Sequence, residues 1–113
     1  MDIDLPRYHR QMLLPGFGHE GQQRLATSTA LILGCGALGC VSAEMLSRAG
    51  VGHLVIVDRD VVELSNLQRQ VLFSEKDVAE GMPKAEAAKR RIRETNAGVR
   101  VTAIVDDINH TNI

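Results

Sequence analysis

A chain of 113 residues has the length of one domain and no room for a second core of ordinary size. Hydrophobic residues at 44% and charged residues at 24% exclude a disordered, collagenous or coiled-coil chain. With 13 Lys plus Arg against 14 Asp plus Glu, a formal charge of -1 and 3% aromatic residues, neither a cationic field nor a base-stacking platform points to nucleic acid.

In chain order, Leu5, Tyr8 and Met12 recur at helical spacing ahead of the breaker pair Pro15-Gly16, which predicts a short helix over residues 5–14. Gly18 to Ala26 suits a second short helix. Thr29-Ala-Leu-Ile-Leu33 is an apolar run closed by Gly34, the pattern of a buried parallel strand. The uncharged stretch Leu25 to Ala43 approaches the ~20 residues of a membrane span. Thr27, Ser28, Thr29 and Ser42 interrupt it, however, and three glycines break its middle, so a strand turning into a helix is expected and no membrane segment. The chain does not open with a basic stretch followed by an apolar one, so no signal peptide is expected.

From Leu38 the apolar positions Leu38, Val41, Met45, Leu46 and Ala49 keep the helical period, and Gly50 supplies a stop. His53 to Asp58 is a second strand. Arg59 to Ser65 reads as a loop, and Asn66 to Phe73 as irregular chain or one helical turn. Pro83 opens a helix to about Thr95, with Ala85, Ala88 and Ile92 inward and Glu86 four residues before Arg90 for an ion pair. Lys89, Arg90, Arg91 and Arg93 form its solvated face, interleaved with Glu86 and Glu94. After Asn96-Ala97-Gly98, the alternation of Val99, Val101, Ala103 and Val105 predicts a third strand.

Strand, helix, strand, helix, strand with short connections describes half of a doubly wound α/β sheet, a Rossmann-like βαβαβ unit with parallel strands, preceded by two short helices. The expected division is a helical segment over residues 1–28 and a partial nucleotide-binding domain over 29–113. The first strand should lie at an open edge of the sheet, and an apolar open edge invites a dimer.

The chemistry is concentrated after the first two strands. Gly34-Cys-Gly-Ala-Leu-Gly39 is G-x-G-x-x-G at the mouth of a helix, where the first glycine serves the turn, the second the approach of a nucleotide, and the third helix-strand packing. Asp58 follows the last glycine by roughly 20 residues, the spacing of an acid that grips ribose hydroxyls. These features point to a nucleotide without choosing between NAD and ATP. Cys35 and Cys40 lie too close together to staple a secreted fold, so reduced cytoplasmic thiols packed as small hydrophobes are expected rather than nucleophiles. His9, His19, His53 and His110 show no ligand spacing.

The choice comes from longer strings: Asp58-Arg-Asp-Val-Val-Glu-Leu-Ser-Asn-Leu-Gln-Arg-Gln70, Pro83-Lys84-Ala85, Arg7-Tyr-His-Arg-Gln11 and Gly21-Gln22. On these the sequence resembles the ThiF/MoeB/HesA family, relatives of the ubiquitin-activating enzymes, over essentially the whole chain. The resemblance implies an adenylyltransferase that uses ATP and Mg2+ to activate the C-terminal glycine of a ubiquitin-like sulfur-carrier protein, as in thiamine or molybdopterin synthesis. It implies nucleotide contacts from Gly34, Gly36, Ala37, Gly39, Asp58, Asp60, Ser65, Asn66, Arg69 and Lys84. Asp58 would bind ribose, while Asn66, Arg69 and Lys84 would face the triphosphate and its metal. Arg10, Arg69 and Lys84 would be catalytic, Arg10 by reaching into the partner's site across a homodimer. Such cations suit attack on an α-phosphate, where charge builds, and a hydride-transferring cofactor has no use for them. An NAD-binding redox module and a non-catalytic dimerisation partner are the alternatives.

The chain departs from the family at several places. Ala37 stands where many members have glycine, and Arg59 where an aromatic or apolar residue is common; Arg59 either contacts adenine or points into water. Ala79 to Pro83 looks two residues longer than in commoner members. The family's second half carries a further metal-binding Asp, paired C-x-x-C zinc motifs and a reactive cysteine. None of these occurs here, so no protein metal site is expected, and the 113 residues alone are expected to be inactive.

Overall fold

A computed structural model describes residues 3–107 and 111 of the chain, so His110 lies outside the described residues. Helix α1 (Leu5–Met12) begins where the Asp4 carboxylate accepts the Arg7 N–H at 3.3 Å, with Pro6 preset for the first turn. Helix α2 (Gly18–Ala26) follows, then strand β1 (Thr29–Leu33), helix α3 (Ala37–Ala49) and strand β2 (His53–Val57). Gly50, at φ 95°, ends α3 in the left-handed conformation that glycine adopts without strain. Helix α5 (Lys84–Thr95) and strand β3 (Arg100–Ile104) complete the unit, after a short helix α4 (Glu75–Ala79).

The sheet has the order β1-β2-β3, all parallel, with β1 on the expected outer edge. Leu54, Ile56 and Ile92 are wholly or almost wholly buried between the sheet and the α3–α5 layer, each contributing about 1.5–3 kcal/mol of hydrophobic stabilisation. Ala85, Ala88 and Ile92 face inward as their spacing predicts.

Helix α3 departs from the pattern in its sequence. Its buried residues are Cys40, Ala43 and Ser47, whereas Leu38, Val41 and Met45 are 80%, 41% and 60% exposed. The helix lies so near the sheet that only small side chains fit beneath it, and the large apolar stripe turns outward. Leu31 and Leu33, on the opposite face of β1 from Ile32, are likewise exposed.

Two short elements were not expected. Glu63 and Asn66 form a capping box around a 3-10 turn at Leu64–Asn66, and Ser74 and Asp77 form another at the start of α4. The predicted Glu86–Arg90 pair is replaced by a tertiary one, because the Arg90 guanidinium reaches the buried Asp77 and, at 2.7 Å, Glu80. Arg90 is therefore not part of a purely solvated face. Asp77 also accepts the Ser74 N–H at 2.9 Å, so Asp77→Ala removes a cap and leaves Arg90 half-paired. A loss of about 2 kcal/mol in denaturant unfolding is expected.

Candidate nucleotide site

The strands end level with one another at Leu33, Val57 and Ile104, so the residues that follow share one rim of the sheet. After β1 the chain turns at Gly34, whose φ of 90° requires glycine. A Cβ on Gly39 would stand 2.0 Å from the Gly34 carbonyl oxygen, whereas one on Gly36 would meet nothing within 4 Å. The third glycine thus permits helix-turn contact, and the second leaves open space beside the first turn of α3. No side chain caps that turn, so its N–H groups and the positive end of the helix dipole face the opening.

Asp58 joins this turn to the one after β2: one carboxylate oxygen accepts the Cys35 N–H at 2.7 Å and the other the Asp60 N–H at 2.7 Å. The Asp60 carbonyl accepts the Lys84 N–H at 2.8 Å, and Val61 bridges Pro83. The segment Ala79 to Pro83 turns at Gly81, and Lys84 becomes the first residue of α5. Lys84 is 7% exposed, and among the described residues no carboxylate lies within ion-pair distance of it. A buried cation at the positive end of a helix opposes the dipole, so stability does not explain its position.

Through Asp60 and Asp58 the start of α5 is tied to the turn at Cys35. The two sulfurs stand 3.9 Å apart and are fully buried. Their shared hydrogen bond, with burial, pushes the Cys35 thiol up; the same bond, with the Leu72 N–H, holds Cys40 below the usual thiol range. Both are packed as small hydrophobes. Titration with a thiol reagent is expected to find neither reactive in the folded chain and both reactive in guanidinium.

The remaining expected site residues fall into two groups. Ala37 is exposed on the first turn of α3, beside the opening. Ser65, Asn66 and Arg69 are tied to their own segment instead: Arg69 donates to the Ser65 carbonyl at 3.1 Å, and the Asn66 side-chain oxygen accepts the Glu63 N–H at 2.8 Å. Arg69 is exposed and Asn66 buried. Gln70, in the same string, is buried with its Oε1 unpartnered among the described residues, a cost of roughly 1–3 kcal/mol that packing alone does not explain.

Arg10 lies elsewhere. Its neighbours anchor α1 to the opposite end of the sheet: Arg7 donates to the Thr95 carbonyl at 3.0 Å and Gln11 to the Ala49 carbonyl at 2.7 Å. Tyr8 accepts from Asn96 at 2.7 Å. Arg10 itself is exposed, and no other described residue pairs with it. A cavity of about 750 Å3 also lies at this end, among Arg7, Tyr8, His53, Asn96 and Arg100. It sits where the strands begin, whereas ligands of open α/β sheets occupy the carboxyl ends, and its buried amides are already satisfied. His53, there, binds the Thr102 hydroxyl at 2.8 Å.

A contact absent from the sequence reading is the ion pair between Arg59 and Asp107 at 3.1 Å, which links the ends of β2 and β3 across the rim. Nothing in the spacing of 59 and 107 announces it. No helix among the described residues is long and apolar enough to cross a membrane.

Comparison with known proteins gives the same picture. Residues 8–113 match the ThiF family. Over 107 residues the chain is 55% identical to the sulfur carrier protein ThiS adenylyltransferase of Bacillus subtilis, covering 95% of this chain and 32% of that protein. It is 44% identical over 109 residues to the molybdopterin-synthase adenylyltransferase of Escherichia coli, covering 94% and 43%. Among solved structures, E. coli tRNA N6-threonylcarbamoyladenosine dehydratase in complex with AMP superposes with a TM-score of 0.89 at 31% identity, covering 99% of this chain and 44% of that one. The chain thus spans less than half the length of these relatives. The match nevertheless runs through nearly all of its residues, and the chain belongs to the ThiF family.

Proposed function

We propose that this chain is the nucleotide-binding half of an adenylyltransferase that activates the C-terminal glycine of a ubiquitin-like sulfur carrier. One observation carries the reading: a buried lysine, without a carboxylate partner among the described residues, is tied through Asp60 and Asp58 to the turn before an uncapped helix start whose central glycine leaves open space. That arrangement has unmet positive charge and room for phosphate, which suits ATP. Asp58 would hold ribose hydroxyls while its bonds to the Cys35 and Asp60 N–H groups fix its direction. Lys84 would neutralise charge on the triphosphate as the carrier's carboxylate attacks the α-phosphorus and pyrophosphate leaves. Arg69 would turn from the Ser65 carbonyl toward the same phosphates.

The described residues contain no group of three His, Cys, Asp or Glu fit to hold a cation, so Mg2+ would come bound to the ATP phosphates. Arg10 would serve a second copy, because α1 is anchored at the far end of the strands from the glycine turn of its own chain. A homodimer then follows, with the exposed Leu31, Leu33, Leu38 and Met45 as apolar surface available for association or for further chain. The test is exchange of labelled pyrophosphate into ATP by the full-length gene product. Exchange should require a sulfur carrier ending in glycine; binding of NAD without binding of ATP would instead support a redox module and overturn the proposal.

A further inference from the structure

Helix α1 has no buried residue, and the cavity of about 750 Å3 lies between its Arg7 and Tyr8 and the starts of β2 and β3 at His53 and Arg100. With so little packing beneath it, the roll of the helix is set by hydrogen bonds. Gln11 donates from Nε2 to the Ala49 carbonyl at 2.7 Å and to Oε1 of Gln22, whose own Nε2 donates to the same carbonyl at 3.0 Å. Asn96 donates from Nδ2 to the Tyr8 hydroxyl at 2.7 Å and to the Ser47 carbonyl at 2.9 Å. Gln22 and Asn96 are 1% and 2% exposed, so water does not compete for these bonds. Gly50 makes room for them: a Cβ there would stand 2.6 Å from Gln22 Nε2 and 2.7 Å from Tyr8 Cζ.

Ala49 ends α3, and its carbonyl is one that a helix end leaves without an internal partner. Water serves such a carbonyl well; side-chain amides from α1 and α2 add a fixed direction. Tyr8, Gln11 and Met12 form the partly buried face of α1, while Arg10 stands on the outer face, with the exposed Leu13 and Leu14 just beyond it. Any roll about the axis therefore swings Arg10. The helices that hold α1 also begin at the nucleotide site: the glycine turn opens α3 and Lys84 opens α5, each about 20 Å from the end that meets α1. We infer that Gln11, Gln22, Tyr8 and Asn96 are positioning residues for Arg10, fixing the roll of α1 so that the guanidinium is aimed at the nucleotide site of a second copy. This rests on the reading that Arg10 serves a second copy and adds what aims it there. A misplacement on the order of 1 Å costs about a hundredfold in rate, so the lock bears on catalysis as well as on folding.

The test uses mixed dimers of the full-length gene product, isolated through a different affinity tag on each protomer. One protomer carries Lys84→Ala, which leaves one live site that draws Arg10 from the disabled protomer. Arg10→Ala should lower kcat for pyrophosphate exchange about a hundredfold when placed on the disabled protomer, and far less on the live one. Gln11→Met, close in size but without the amide, should lower kcat about tenfold from the disabled protomer, with KM for ATP within about twofold, and far less from the live one. Tyr8→Phe, which removes one hydroxyl, should act in the same direction. If Arg10→Ala acts from the disabled protomer while Gln11→Met and Tyr8→Phe do not, the positioning role is overturned and the Arg10 reading stands. If Gln11→Met acts equally from both protomers, its role is structural and the positioning role is again overturned. If Arg10→Ala acts from the live protomer or from neither, or if no mixed dimer forms, the second-copy reading falls and this inference with it.

Discussion

Gly39→Ala is expected to destabilise the chain by about 3 kcal/mol, lowering the thermal midpoint by roughly 15 °C. The added Cβ would stand 2.0 Å from the Gly34 carbonyl oxygen and 3.0 Å from its carbon. Neither atom can yield as a flexible side chain would, because Gly34 is itself held at φ 90° and its N–H donates to the Val57 carbonyl at 2.8 Å. The helix must therefore move off the sheet, opening space over Ile32 and the small buried face of α3. Gly36→Ala is the matched control. With nothing within 4 Å of its Cβ and φ at -83°, it should leave the midpoint within a few degrees while weakening ATP binding, since the methyl would occupy the nucleotide's space. Thermal unfolding followed by circular dichroism checks both. An unchanged midpoint for Gly39→Ala would show that the turn and helix are not packed as described.

Lys84→Ala in the full-length gene product should slow carrier-dependent pyrophosphate exchange by roughly a hundredfold or more, the scale for losing a preorganised charge at a transition state. The fall should appear mainly in kcat, because the charge that Lys84 meets grows as the α-phosphorus is attacked. Stability should change little, since a cation in the first turn of α5 opposes the helix dipole and has no carboxylate partner among the described residues to leave behind. Arg69→Ala should also slow exchange strongly, though Arg69 must first leave the Ser65 carbonyl. Exchange at the unmodified rate in Lys84→Ala would remove this residue from the phosphate chemistry.

Much of this protein was legible in local pattern. The apolar runs at Thr29–Leu33 and His53–Val57, the glycine stops and Pro83 announce their elements because each signal is contained within a few residues. The G-x-G-x-x-G turn is equally local: Gly34 takes the left-handed turn and Gly39 the close approach of helix and turn at the positions expected. The capping box at Ser74 and Asp77 was present in the sequence as well, but a five-residue helix carries too few periodic positions to stand out.

Tertiary structure decided what local pattern could not. The sequence of α3 offers a strong apolar stripe, and the fold turns it outward because closeness at Gly39 admits only Cys40, Ala43 and Ser47 beneath the helix. Arg90 has a suitable helical neighbour in Glu86, yet it pairs with Asp77 and Glu80 because α4 presents them across the gap. Lys84 and Arg69 look alike in sequence, both cations in diagnostic strings. Only the bridge of Val61 to Pro83 and the bond from Lys84 to Asp60 tie one, buried, to the turn after β2 and leave the other at the surface. The sequence by itself determined the order of the strands and longer helices, the glycine turn and the residue types of the candidate site, all properties of short segments. Which charges meet, Arg59 with Asp107 and Lys84 with no carboxylate among the described residues, depends on residues far apart in the chain, and the parallel register of three strands brings their ends to one rim.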